Sequence, residues 1–169
     1  MASRPNLDCP TNRHLDQIMM ERVVRWDQLE CKQEEGGEYY YHESTRYTGK
    51  AERFREKGQK LFSCNFKEGL PDGLCITWHA NGNRENESYW REGKLDGLST
   101  HWYRKGKKER EGHWKNGKVI SFQAWKPNGK KCLLTNVKNG NGLLAYYDDI
   151  QSWPEIGCYI WMDGEVVKG

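Results

Sequence analysis

Apolar and polar positions alternate along the middle of the chain with a period of two. After Gly73 the apolar residues Leu74, Ile76 and Trp78 are separated by smaller or more polar residues, and a similar run follows Gly97. This period is typical of a β-strand, because successive side chains of a strand point to opposite faces of the sheet. We predict that the face with Leu and Trp is the packed one. The residues predicted to be most buried are Leu74, Ile76, Trp78, Leu98, Trp102, Phe66, Trp90 and Trp114.

Glycine recurs through the same region at a nearly constant interval. Three series of glycines run in one phase, with steps of 24, 24 and 23 residues in the two longest. Dipeptides such as Asn81-Gly82 favour hairpin turns, because glycine adopts positive φ without a Cβ clash and Asn tolerates it better than most residues. The pattern therefore predicts successive β-hairpins. The series are Gly58, Gly82, Gly106 and Gly129, then Gly69, Gly93, Gly117 and Gly140, and finally Gly49, Gly73 and Gly97.

An aromatic residue ends the second strand of each predicted hairpin, two or three residues before a glycine. These aromatic residues are Phe66, Trp90, Trp114 and, in the same phase, Trp161. The residues two positions before the first three are Cys64, Ser88 and Gly112. Small residues at that position leave room for a bulky side chain of the neighbouring unit, so we expect close packing between units there.

The repeats predict an all-β protein with an elongated, twisted antiparallel sheet of successive β-hairpins, each of about 24 residues. We place the repeat domain at residues 23–164, after an N-terminal tail or short helix at 1–22 and before a C-terminal tail at 165–169. The predicted units are 47–69, 70–93, 94–117, 118–140 and 141–164. A single-layer sheet leaves one face open, so a homodimer through that face is an alternative assembly.

The repeat pattern Gly-x-x-x-Gly-Leu-x-x-x-Trp-x-x-x-Gly, followed by aromatic-x-x-Gly, resembles the bacterial variant of MORN repeats. These repeats are found in the YwqK-like family, which is commonly labelled as an antitoxin. The stretch 23–54 also resembles the lead-in of that family, where a strand pair precedes a motif matched here by Tyr47, Thr48, Gly49 and Lys50. The resemblance implies a MORN-like β-repeat fold and an antitoxin or immunity role. It carries over no catalytic residues, and we expect no cofactor.

Composition limits the classes of function. The net charge of +3 is the small difference between 27 basic and 24 acidic residues, so no overall field favours nucleic acid or membranes. The chain shows no secretory signal and no membrane-spanning run, so we predict a cytoplasmic protein. The six cysteines lack the C-x-x-C spacing of a zinc site. We predict small half-buried thiols, with disulfides in an oxidising compartment as the alternative.

Strand alternation predicts a mixed polar and aromatic surface opposite the Leu and Trp face. Such a surface could hold an extended protein segment, because aromatic side chains offer a large contact area at low entropic cost. We therefore predict a non-enzymatic module for protein–protein interaction, whose partner is another protein. The candidate binding surface consists of His79, His101, Tyr103, Tyr89 and His113.

Two alternative functions depend on charged residues. A basic cluster on one predicted hairpin is a candidate site for anionic lipid or nucleic acid, although lysines in turns also block edge pairing. This basic patch comprises Arg104, Lys105, Lys107, Lys108 and Arg110. The second alternative is a hydrolase that uses the repeated carboxylates Glu85, Glu87, Glu109 and Glu111. Carboxylates copied with a repeat are more often cross-strand partners of basic residues.

Overall fold

A computed structural model of the protein describes residues 23–147 and 156–167. The predicted tail or helix at 1–22 lies outside the described residues. Within this part of the chain there is one 3-10 turn, Trp26–Gln28, and no helix is long and apolar enough to cross a bilayer. The strands are β1 (Val23–Arg25), β2 (Glu30–Glu34), β3 (Gly37–His42), β4 (Thr45–Arg46), β5 (Gly49–Phe54), β6 (Lys60–Lys67), β7 (Leu70–Trp78), β8 (Arg84–Arg91), β9 (Lys94–Trp102), β10 (Lys108–Lys115), β11 (Lys118–Ala124), β12 (Gly142–Tyr147), β13 (Ile156–Met162) and β14 (Glu165–Val167).

Eight strands form the main sheet, in the order β1-β5-β6-β7-β8-β9-β10-β11. From β5 to β11 each strand pairs antiparallel with the next strand in the chain. Strand β1 departs from this order, since it pairs parallel to β5. The prediction of an all-β antiparallel sheet of successive hairpins is confirmed.

Two smaller sheets flank the main sheet. Strands β2, β3 and β4 form the N-terminal cap, and strands β12, β13 and β14 form the C-terminal cap. Strand β14 contains residues 165–167, which we had assigned to a C-terminal tail, and it pairs with β13. Side chains of both caps pack on the same face of the main sheet.

Two kinds of turn alternate along the repeats. At one end of a hairpin, Glu92-Gly93 forms a two-residue turn with φ of 48° and 75°. Positive φ at both positions is typical of a type I′ turn, whose twist matches that of the flanking strands. At the other end, residues 79–83 form a longer turn, closed by a hydrogen bond of 2.9 Å from His79 N–H to Asn83 O. The dipeptide Asn81-Gly82 therefore belongs to the longer turn, where Gly82 has a φ of 87°.

The strand register defines two faces of the main sheet, because directly opposed residues on adjacent strands share a face. We call one side the core face; its central row contains Cys64, Cys75, Ser88, Ser99, Gly112 and Phe122. We call the other side the open face; its central row contains Ser63, Ile76, Glu87, Thr100, Glu111 and Gln123.

Our prediction of which face is packed is wrong. Leu98 on the open face is 36% exposed, whereas Cys75 and Ser99 on the core face are 6% and 5% exposed. The caps, which come from the two ends of the described chain, cover the core face, and small residues there accommodate their aromatic side chains. A period of two separates the faces of a strand but does not say which one is covered. Of the residues predicted to be most buried, those on the open face are half-buried or exposed, namely Leu74, Ile76, Trp78, Leu98 and Trp102.

Aromatic residues form a hydrophobic cluster under each cap. At the N-terminal end, the ring centroids of Trp26 and Phe62 are 5.0 Å apart. At the C-terminal end, the ring of Trp161 lies 5.7 Å from Trp114 and 5.3 Å from Phe122. The cap residues Tyr40 and Trp161 belong to these clusters, and their apolar surface buried there stabilises the caps on the sheet by about 25 cal/mol per Å².

Gly112 shows why small residues precede the aromatic strand ends. Phe122 on β11 lies directly opposite Gly112 on β10. A Cβ atom added to Gly112 would lie 2.3 Å from Cε1 of Phe122. The ring therefore occupies the space that a side chain would need, and the prediction that this position accommodates a bulky neighbour is confirmed for Gly112.

Candidate binding groove

A polar strip crosses the core face between the two caps. It contains Asn86 and Ser88 on β8, Ser99 and His101 on β9, and Arg110 on β10. Ser88 lies opposite Ser99, and His101 lies between Asn86 and Arg110 in the register. Because opposed residues share a face, the five side chains line one surface.

Two separate cavities lie along this strip, one beside β8 and the other beside β9, and together we call them the binding groove. The N-terminal cavity has a volume of about 160 Å³ and is lined by Asn86, Ser88 and aromatic side chains next to the N-terminal cap. The C-terminal cavity has a volume of about 270 Å³ and is lined by Ser99, His101, Arg110 and residues of the C-terminal cap. The groove spans from β6 to β11, which is five strand spacings or about 24 Å.

Three polar atoms of residues that line the groove have no hydrogen-bond partner among the described residues. They are Oδ1 of Asn86 and the indole Nε1 atoms of Trp114 and Trp161, and all three are buried. The indole of Trp90 differs, since its Nε1 donates to Oγ of Ser88 at 2.9 Å. A buried polar group without a partner costs about 1–3 kcal/mol, and these atoms have almost no surface through which a ligand could reach them.

His101 is neutral near pH 7 because of its position in the groove. Burial, together with the nearby charge of Arg110, lowers the pKa of His101 to about 4. Nη2 of Arg110 lies 3.3 Å from Nδ1 of His101, while Nη1 of Arg110 lies 3.4 Å from a carboxylate oxygen of Glu109. Since a guanidinium can only donate, Nδ1 accepts this bond, and the proton of the neutral ring is therefore on Nε2.

No model of a known protein family matches the chain, and no curated protein is significantly similar to it. The functional argument therefore depends on the groove and on the side chains that line it.

The five residues of the candidate binding surface do not form one surface. His101 lines the groove, but Tyr89 and His113 lie on the open face, where both are exposed. Tyr103 is only 3% exposed, and its hydroxyl donates to the backbone oxygen of Trp125 at 2.7 Å. The assignment of Tyr103 to a surface was therefore wrong, because the residue follows the last residue of β9 and packs into the C-terminal cluster.

His79 is also held by the protein itself. Its Nε2 atom lies 2.8 Å from the backbone oxygen of Trp102, one repeat further along the chain. Its Nδ1 atom is 3.9 Å from a carboxylate oxygen of Glu85. These contacts tie neighbouring hairpins together at the end of the sheet, away from the residues that line the two cavities.

The basic patch is divided between different parts of the structure. Nζ of Lys108 lies 2.6 Å from a carboxylate oxygen of Glu111, on the open face. Arg110 lines the groove on the core face. Nζ of Lys107 donates to the backbone oxygen of Asn128 at 3.0 Å in the next turn. Arg104 and Lys105 are exposed in the segment between β9 and β10.

Each of the repeated carboxylates has a basic neighbour. Glu87 pairs with Arg84, Glu109 with Arg110, Glu111 with Lys108, and Glu85 approaches His79. Glu87 and Glu111 share the open face, whereas Glu85 and Glu109 lie at register shifts of β8 and β10. In the part of the chain that the structure describes, no group of three or more His, Cys, Asp or Glu residues could hold a metal ion.

Sequence reasoning missed most of the groove. Asn86, Ser88 and Ser99 look like ordinary polar residues of a half-exposed strand, and Trp161 was interpreted as a packing residue. Ser88 could have indicated the groove, because it is a small polar residue two positions before Trp90, which we had predicted to be buried. A hydroxyl at such a position is available to bind a ligand or an indole N–H.

Cys64 and Cys75 form a disulfide, which corrects our preferred prediction of free thiols for this pair. They lie opposite each other on β6 and β7, with Cα atoms 4.0 Å apart. Cys31 and Cys132 are free thiols. Structural disulfides are rare in a reducing cytoplasm, so this disulfide does not favour the cytoplasmic location. That location stays a prediction.

Proposed function

We propose that this protein is a non-enzymatic binding module that holds an extended segment of a partner protein in the binding groove. The observation that carries the proposal is the polar strip between two aromatic ends. Ligand sites typically combine apolar walls with a few polar groups that fix orientation, and the groove has this composition.

The dimensions of the groove suit an extended peptide. At about 3.3 Å per residue, a length of about 24 Å accommodates about seven residues of extended chain. The backbone of such a segment presents both N–H donors and carbonyl acceptors. The groove lining can pair with both types, because Arg110 donates and the hydroxyl of Ser99 can donate or accept.

The resemblance to MORN-variant repeats suggests a specific form of this function. If the family label applies, the partner is a protein whose activity is neutralised when its segment occupies the groove. The lipid and nucleic-acid alternative has weaker support, because the basic residues that motivate it lie on opposite faces of the sheet.

The proposal can be tested with variants of the groove lining, Asn86→Leu and Trp114→Phe. The first also removes the Nδ2 donor that lies 3.4 Å from Oγ of Ser88, and the second shrinks a ring that packs on Phe122 and Trp161. The free energy of unfolding of each variant is therefore measured first, and capture is compared only between folded proteins. Affinity capture from the source cell, followed by mass spectrometry, should recover a specific partner with the wild-type protein. We expect the doubly substituted variant to lose that partner.

The matched control is substitution on the open face, with Tyr89→Ala and His113→Ala combined. These side chains are exposed, so the control variant should keep both its stability and the partner. Capture that survives the groove substitutions but fails with the control would place the binding surface on the open face and contradict the proposal.

A further inference from the structure

The lining of the C-terminal cavity is rich in hydrogen-bond donors. The hydroxyl of Ser99 can donate there, whereas Trp114 and Trp161 contribute their rings, because their Nε1 atoms have almost no accessible surface. The neutral ring of His101 carries its proton on Nε2, because Nδ1 faces Arg110. Arg110 adds a guanidinium, whose five N–H donors are only partly used by His101 and Glu109. The lining residues include no carboxylate.

Apart from the hydroxyls of Ser99 and Tyr159, the rest of the lining is apolar. Phe122, Leu144 and Val166 belong to this apolar part. A ligand that fits both parts has an apolar stem and a compact group of acceptors. Among such groups a carboxylate fits best, because its two oxygens accept up to about four hydrogen bonds and its charge complements Arg110.

We infer that the C-terminal cavity binds a carboxylate on an apolar stem, and that in the complex this group is an Asp or Glu side chain of the bound segment. The source of the carboxylate rests on the proposed function, whereas the chemistry of the cavity can be tested alone. Glu109 does not occupy this place, since it contacts Arg110 from outside the lining.

The first experiment uses 3-phenylpropanoate as the probe and 3-phenylpropanamide as its neutral control. The readout is the ¹H–¹⁵N correlation spectrum of the indole groups, of which the chain has eight. We expect the acid to shift the signals of Trp114 and Trp161, which are assigned with Trp→Phe variants. The signal of Trp90 is an internal control, because its N–H already donates to Ser88. Equal shifts with the amide, or no shift with the acid, would overturn the inference.

The second experiment measures affinity for the same probe in variants. Arg110→Gln should weaken binding about 10- to 100-fold, the usual effect of losing one charge-assisted hydrogen bond. Lys108→Gln is the matched control, since Lys108 is basic and two residues away but lies on the open face. If Arg110→Gln lowers the melting temperature, Arg110→Lys provides the second variant, because it keeps the positive charge and should retain most of the affinity. Tighter binding of inorganic phosphate than of the acid would assign the cavity to phosphate and refute the inference.

A third experiment separates the inference from the proposed function. Seven-residue peptides are compared in pairs that differ only by Glu in place of Gln. Equal binding of both members would keep the groove as a peptide site and overturn the carboxylate inference. If no peptide and no partner binds while the acid still shifts both indoles and Arg110→Gln abolishes that shift, the carboxylate site stands and the proposed function fails.

Discussion

Substitution of Gly112 by alanine tests how the C-terminal cavity is built. The added Cβ would lie 2.3 Å from Cε1 and 2.7 Å from Cδ1 of Phe122. The ring cannot move away freely, because it packs on Trp114 at 5.7 Å and on Trp161 at 5.3 Å. Overpacking of this kind costs about 1–3 kcal/mol. Replacing glycine by alanine within a strand returns about 0.5–1 kcal/mol, so we expect a net loss of about 1–2 kcal/mol.

The assay is urea denaturation followed by tryptophan fluorescence, with the free energy of unfolding taken from the midpoint and the slope. The decisive comparison is the same substitution in a Phe122→Ala background. There the clash is absent, and Gly112→Ala should be neutral or stabilising by about 0.5–1 kcal/mol. An equal loss of stability in both backgrounds would show that the contact between the two residues is not the cause, and the packing argument would fail.

Three further predictions concern stability. Folding lowers the pKa of His101 to about 4, below its ordinary value, so folding favours the neutral ring. This contribution to the free energy of unfolding, up to about 3 kcal/mol, is complete above about pH 6.5 and is lost as the pH falls towards 4. The free energy of unfolding measured against pH should therefore fall over this range. The variant His101→Gln should lack this fall. Replacing Cys64 and Cys75 by serine should cost about 3 kcal/mol for the 11-residue separation, and dithiothreitol should lower the wild-type melting temperature without affecting the variant. Tyr103→Phe removes the hydrogen bond to Trp125 O and should cost about 0.5–1.5 kcal/mol, whereas the exposed Tyr89→Phe should cost nothing measurable.

Local features of the fold could be predicted from the sequence. The glycine at position 93 supports a two-residue turn because positive φ is needed there, and the interval between glycines sets the length of each hairpin. The small residue Gly112 correctly indicated a bulky neighbour on the next strand. These features depend on residues close in sequence or one repeat apart, and the repeat makes them visible.

The position of the groove depends on contacts that no local pattern shows. The core face is covered because Trp26 and Trp161, which lie 135 residues apart, both pack on the main sheet. Without that information, Leu98 is the better candidate for burial and Ser99 the better candidate for exposure. Tyr103 was misassigned for a related reason, since the alternation was extended past Trp102, where β9 ends.

Strand β1 has a consequence for the growth of the sheet. A row of antiparallel hairpins can accept further strands at its edges, and the exposed backbone of an edge strand is a site of aggregation. Residues 23–25 pair parallel with residues 50–52 and occupy that edge of β5. Within the described residues the new edge strand is three residues long, and so short a strand is a poor template for another chain. At this edge the described part of the sheet therefore presents a segment that differs from the repeats in both length and direction, which gives neighbouring molecules little regular backbone to extend.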